Sequence, residues 1–157
     1  MGYSLTWLTS VGIIALGTAV SACGASDDGS EETNDALALW RSKEPAEYAF
    51  VYNRGCYCPL EYTAPVRVVV KDGIVLSARF ADGSNGGQRG VTIDDLHREI
   101  RSWSKGEPDA FEAQYDETWG YPRTASVDQE ERMADDESLI AVTCFAANAR
   151  DDACPVD

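Results

Sequence analysis

Apolar residues recur along this chain at two spacings, and the switches between them outline a fold. In residues 48–53, YAFVYN, Tyr48, Phe50 and Tyr52 fall on one side, as in a half-buried strand. PVRVVV places Val66, Val68 and Val70 on one face, and Asp72-Gly73 follows. That dipeptide suits a tight primed hairpin turn, which requires positive φ. The return strand IVLSARF predicts Ile74, Leu76, Ala78 and Phe80 facing inward. Phe111, Ala113 and Tyr115 mark a fourth strand, residues 123–128 a fifth, and SLIAVTCFA from Ser138 a sixth.

Helical spacing occurs twice. Leu37 and Trp40 share a face behind a cap at Thr33 or Asn34, and Pro45 ends that helix. Ile93, Leu96, Ile100 and Trp103 follow Thr92, which with Asp95 makes a capping box; Gly106 and Pro108 close the helix. The order α-β-β-β-α-β-β-β with hairpin-length links predicts an α+β fold: an antiparallel sheet with two helices packed on one face. Between the third strand and the second helix, DGSNGGQRG lacks both the phosphate-loop ending and the acidic twelfth position of an EF-hand, and reads as a mobile connection.

The stretch before this domain has a different character. Residues 5–20, LTWLTSVGIIALGTAV, are uncharged and mostly apolar, too short for a comfortable span but suited to a secretory signal peptide. Val20-Ser21-Ala22-Cys23 then resembles a lipobox, whose small residues admit cleavage and whose cysteine thiol receives lipid. The expected layout is a signal peptide at 1–22, a lipid anchor at Cys23 with an acidic tether to residue 33, one domain at 34–148 and a C-terminal tail at 149–157. The tether spans about 17 Å. The expected place is the bacterial cell envelope, membrane-anchored through lipid and facing the periplasm or exterior.

Charge narrows the partners. Twenty-seven acidic side chains against thirteen basic ones give a formal net charge of −14, and none of them precedes Asp27. Such a surface repels phosphate backbones, which argues against nucleic acid.

Four cysteines remain after Cys23: Cys56, Cys58, Cys144 and Cys154. An exported chain meets oxidising conditions, so disulfides are expected. Cys144 and Cys154 lie close in sequence and form the favoured local pair, leaving Cys56 with Cys58; pairings of the two early with the two late cysteines stay open. The Cys56-Tyr57-Cys58 bridge raises thiol–disulfide exchange as an alternative activity, although only Arg54 stands near to lower a thiol pKa. The sole histidine, His97, flanks the apolar helix face with no nucleophile motif attached to it, and reads as a core residue. YDETWGYP holds Tyr115, Asp116, Trp119 and Tyr121 and is the expected binding loop, with Tyr115 buried and Trp119 either an exposed contact or a core plug. Asp135, Asp136 and Glu137 offer only a weak divalent-ion idea. No metal site, cofactor or catalytic constellation is expected.

The segments CYC, VRVVVKDGIVLSARF, TIDDLHREI, YDETWGYP and ADDES occur in the order of a known family. Over about residues 36–146 the chain resembles an uncharacterised family of bacterial lipoproteins, the domain-of-unknown-function family numbered six-one-seven-four. The resemblance implies an extracytoplasmic lipoprotein and no established activity. The combined expectation is a non-enzymatic binding or structural module of the envelope, with an unknown envelope protein or ligand as partner.

Overall fold

The computed structural model describes residues 28–133, 135–148 and 153–156; the expected signal peptide and Cys23 lie outside these residues. The elements are α1 (Asp28–Lys43), β1 (Glu47–Gly55), α2 (Leu60–Thr63), β2 (Val66–Lys71), β3 (Ile74–Phe80), α3 (Ile93–Ser104), β4 (Ala110–Tyr115), β5 (Pro122–Asp128) and β6 (Ser138–Ala147). The six strands form one antiparallel sheet in the order β3-β2-β1-β6-β5-β4, and α1 and α3 pack on one face. The α+β architecture is as expected, with one addition, the single-turn α2 between β1 and β2.

The central strand shows why the sheet closes. Tyr48, Phe50 and Tyr52 are fully buried beneath the helices, joined by Trp40, Val66, Val68, Val70, Leu96, Ile100 and Ile140. Truncating a ring buried this completely costs about 3–5 kcal/mol. Ala49 and Val51, on the opposite face, are buried too. The C-terminal segment covers them: the Cys154 Sγ lies 3.8 Å from the Ala49 carbonyl oxygen, and Arg67 Nε donates to the Ala153 carbonyl at 2.7 Å. A strand covered on both faces reads as a continuous apolar run, as AFVY does.

Three expectations are corrected. α1 starts at Asp28, so residues 28–33 of the expected tether are helical, and Thr33 is not a cap. Thr33 is buried within the helix and its hydroxyl donates to the Gly29 carbonyl at 2.6 Å. Glu31 and Glu32 favour this early start, since carboxylates near a helix N-terminus meet the positive end of its dipole.

In β3, Ile74 and Leu76 face outward, 66% and 58% exposed. Val69 pairs with Ser77 but Val70 pairs with Val75, so Leu76 is an extra, unpaired residue. A one-residue bulge reverses the alternation, turning Val75 inward in their place while Ala78 is buried and Phe80 packs on the core.

Residues 82–90 are organised by their own side chains. Asp82 Oδ1 accepts from the Ser84 amide at 2.8 Å and Asn85 Oδ1 from the Gly87 amide at 2.9 Å. A short 3₁₀ turn, Gly87–Arg89, then buries Arg89. Its carbonyl accepts from the Tyr52 hydroxyl at 2.7 Å, and its guanidinium lies over the Tyr52 ring and donates to the Glu61 carbonyl of α2 at 2.9 Å. Elsewhere the local rules hold: Asp72 and Gly73 take φ of 48° and 73° in the β2–β3 turn, and Thr92 and Asp95 make a reciprocal capping box.

Candidate functional site: a groove at the end of the sheet

The YDETWGYP loop, expected to project, is turned inward. Asp116 Oδ1 accepts from the amides of Thr118 and Trp119, and the Gly120 amide donates to the Asp116 carbonyl, closing the β4–β5 turn. Gly120 takes φ of 78°, and a Cβ there would stand 2.4 Å from the Ala36 carbonyl oxygen of α1. The turn therefore lies against the α1 backbone, an approach only glycine allows.

Its side chains fasten it further. Tyr115 is half-buried, its hydroxyl donates to Thr33 Oγ1 at 2.9 Å, and its ring stacks on His97 with centroids 5.6 Å apart. Trp119 is half-buried against Phe145, and Tyr121 stacks on the same ring at 4.6 Å. Lys43 Nζ donates to the Thr118 carbonyl. These residues hold the second half of the sheet to the first helix.

His97 belongs to the same fastening. It is fully buried and its Nε2 lies 2.9 Å from the Gly120 carbonyl oxygen. A carbonyl only accepts, so Nε2 carries the proton, leaving Nδ1 without a partner among the described residues. Burial disfavours the imidazolium and pulls the pKa down from 6.5 to about 4, the Gly120 bond opposing this only in part. A neutral, buried imidazole tied to a backbone carbonyl serves the core.

The cysteines pair as Cys144–Cys154 and Cys56–Cys58, with Cα separations of 5.6 Å and 5.3 Å. The two bridges sit in opposite surroundings. Cys154 is buried on the sheet's back face, whereas Cys56–Cys58 braces an exposed loop running straight into α2. Tyr57 at its tip is 87% exposed, and Leu60 and Tyr62 of α2 are 79% and 52% exposed. Arg54, the cation nearest in sequence, is held by both carboxylate oxygens of Glu99. That pairing raises the Arg54 pKa and occupies the charge that a thiolate would need.

Cys56 and Tyr57 form one wall of a groove of about 620 Å³ at the end of the sheet where β1 and β5 finish and β4 and β6 begin. Phe111, Val127 and Leu139 give it apolar surface. Four carboxylates line it, Glu112, Asp128, Asp135 and Glu137, with no lysine or arginine among them. One Asp128 oxygen is shielded from solvent and has no hydrogen-bond partner among the described residues. Asp135 and Glu137 thus enter the groove, but no group of three or more His, Cys, Asp or Glu side chains among the described residues is placed to hold a metal ion.

Basic residues gather elsewhere. Arg41, Arg98, Arg101 and Lys105 line a smaller depression of about 270 Å³ between α1 and α3. Sequence reasoning did not find the groove, because its lining comes from β1, β4, β5, β6 and the connection before β6. The one local signal was the run of Tyr57, Leu60 and Tyr62 beside Pro59.

Fold and site together define a small α+β domain, one helix-covered antiparallel sheet with an acidic, apolar groove at one end. The chain belongs to the Family of unknown function (DUF6174), whose model matches residues 32–147. Comparison with curated proteins and with solved structures gives no match.

Proposed function

We propose that this protein is a lipid-anchored module of the bacterial cell envelope that binds a partner in the groove at the sheet end. The lipobox at Cys23 supports the anchor, and no helix among the described residues is long and apolar enough to cross a membrane. The observation that carries the binding reading is Tyr57, 87% exposed on a disulfide-braced loop beside the groove, with Leu60 and Leu139 adding apolar surface. Clustered exposed apolar residues rimmed by polar ones mark interaction surfaces. Aromatic anchors held by a short covalent loop also lose little entropy on binding.

The test is photo-crosslinking from position 57 in intact envelopes, with position 98 on α3 as control. A discrete product from 57 that disappears in Leu139→Ser is expected. Equal products from both positions would overturn the reading. Cys23→Ser should release the protein from membranes, and wild type should carry palmitate.

Thiol–disulfide exchange is the second reading and rests on the exposure of Cys56. The Arg54–Glu99 pair opposes it, so mature protein should not accelerate insulin reduction by dithiothreitol. Acceleration abolished by Cys56→Ser would reinstate it.

A further inference from the structure

The groove's charge and its place relative to the chain's amino-terminal side narrow what it takes. We propose that its occupant is a basic polypeptide segment, lysines or arginines spaced around one aliphatic or aromatic anchor, presented close to the membrane by another envelope protein. This rests on the binding reading above and gives that partner its chemistry.

Charge complementarity is the first support. Glu112, Asp128, Asp135 and Glu137 enter from two strands and the connection before β6, and among the described residues no lysine or arginine lines the groove beside them. One Asp128 oxygen, though shielded from solvent, has no hydrogen-bond partner among the described residues, so none of them offsets the charge of that carboxylate through it. Leu139, on the same sheet face as Glu112, adds apolar surface on which an ammonium alone would gain nothing. A ligand satisfying both must carry positive charge and apolar surface within one short stretch, as an extended peptide does when alternate side chains point to opposite sides. The net charge of −14 adds long-range attraction for such a segment.

Position is the second support. Gly29, in the first turn of α1, packs against Phe111 of the groove: a Cβ on Gly29 would stand 3.1 Å from the Phe111 ring. The groove therefore opens at the end of the domain where α1 begins. From Cys23 to Asp28 the chain reaches at most about 17 Å when extended. With lipid on Cys23, a tether this short keeps that end of the domain close to the bilayer surface.

The test uses the mature chain with three probes: a short synthetic peptide of lysines alternating with leucine and phenylalanine, the same peptide with glutamate for every lysine, and vesicles of phosphatidylglycerol and phosphatidylethanolamine. The basic peptide should bind, weaken with added salt, and weaken about tenfold on Glu112→Lys with Glu137→Lys, whereas the acidic peptide should bind only that double variant. Leu139→Ser should weaken the basic peptide at every salt concentration. Equal binding of both peptides, binding unaffected by charge reversal, or binding of neither peptide would overturn the proposal. Vesicle binding by non-lipidated protein that Tyr57→Ser removes would overturn it too, by making the exposed rim a lipid contact. If the Tyr57 crosslink persists while the peptides fail, the groove reading stands and the basic partner falls. If the crosslink also fails, both fall.

Discussion

Two loops of this chain are built from much the same materials and do opposite things. CYCPLEY, at the end of β1, holds two tyrosines, a leucine and a proline; YDETWGYP, between β4 and β5, holds two tyrosines, a tryptophan and a proline. The second is drawn in by neighbours: Gly120 lies on the α1 backbone, His97 holds its carbonyl, and Phe145 takes two of its rings. The first is held from outside at Glu61, whose carbonyl accepts from Arg89, and its tip is not drawn in. A short disulfide shapes it from within, and Tyr57 and Leu60 stay in solvent. Aromatic content therefore says little about whether a loop recognises or fastens; what stands opposite its side chains decides.

The contrast breaks most sharply at Gly120. Gly120→Ala would drive a methyl into the Ala36 carbonyl at a φ of 78°, and neither backbone can step aside. We expect a loss of about 4 kcal/mol or more by denaturant unfolding. A change below about 1 kcal/mol would mean that the turn does not rest on α1.

Acid should loosen the same fastening. The unfolded imidazole titrates near its ordinary 6.5 and the folded one at about 4. Between those values the unfolded chain binds more protons, so stability is full above pH 6.5, falls as pH drops, and loses no more from this group below pH 4. The His97 contribution to the fall is about 3 kcal/mol. His97→Gln keeps a donor for the Gly120 carbonyl and should flatten that part of the profile. An unchanged slope in this variant would exclude His97 as its origin.

Trp119→Ala comes next. Half-buried against one ring, Trp119 should cost about 2 kcal/mol on truncation, between the values for a core ring and a free surface one. A melting curve indistinguishable from wild type would return this loop to the surface and blunt the comparison.

The smallest effect belongs to the other loop. Tyr57→Ser and Leu60→Ser should each stay within about 0.5 kcal/mol of wild type in stability while removing the crosslink or peptide binding described above. A large drop in stability from either change would show that CYCPLEY is also a fastening.

Local order was legible in the sequence because period and punctuation act over a few residues. Tyr48, Phe50 and Tyr52 alternate, Asp72-Gly73 needs a primed turn, and Thr92 with Asp95 caps a helix wherever the chain goes. The short separation of Cys144 and Cys154 favoured their pairing for the same reason. What depended on distant partners was not legible. Leu76 faces out because a bulge against Val69 and Val70 shifts the register, and no pattern within β3 announces it. Thr33 lies buried inside α1, where Tyr115 of β4 donates to its hydroxyl, a partner 82 residues away. His97, an isolated polar residue in sequence, becomes a strut only once Gly120 and Tyr115 arrive beside it. The groove is the extreme case: its carboxylates and its apolar lining residues come from segments that sequence keeps far apart. Only the closing of the sheet, with β1 and β6 side by side at its centre, brings them to one place.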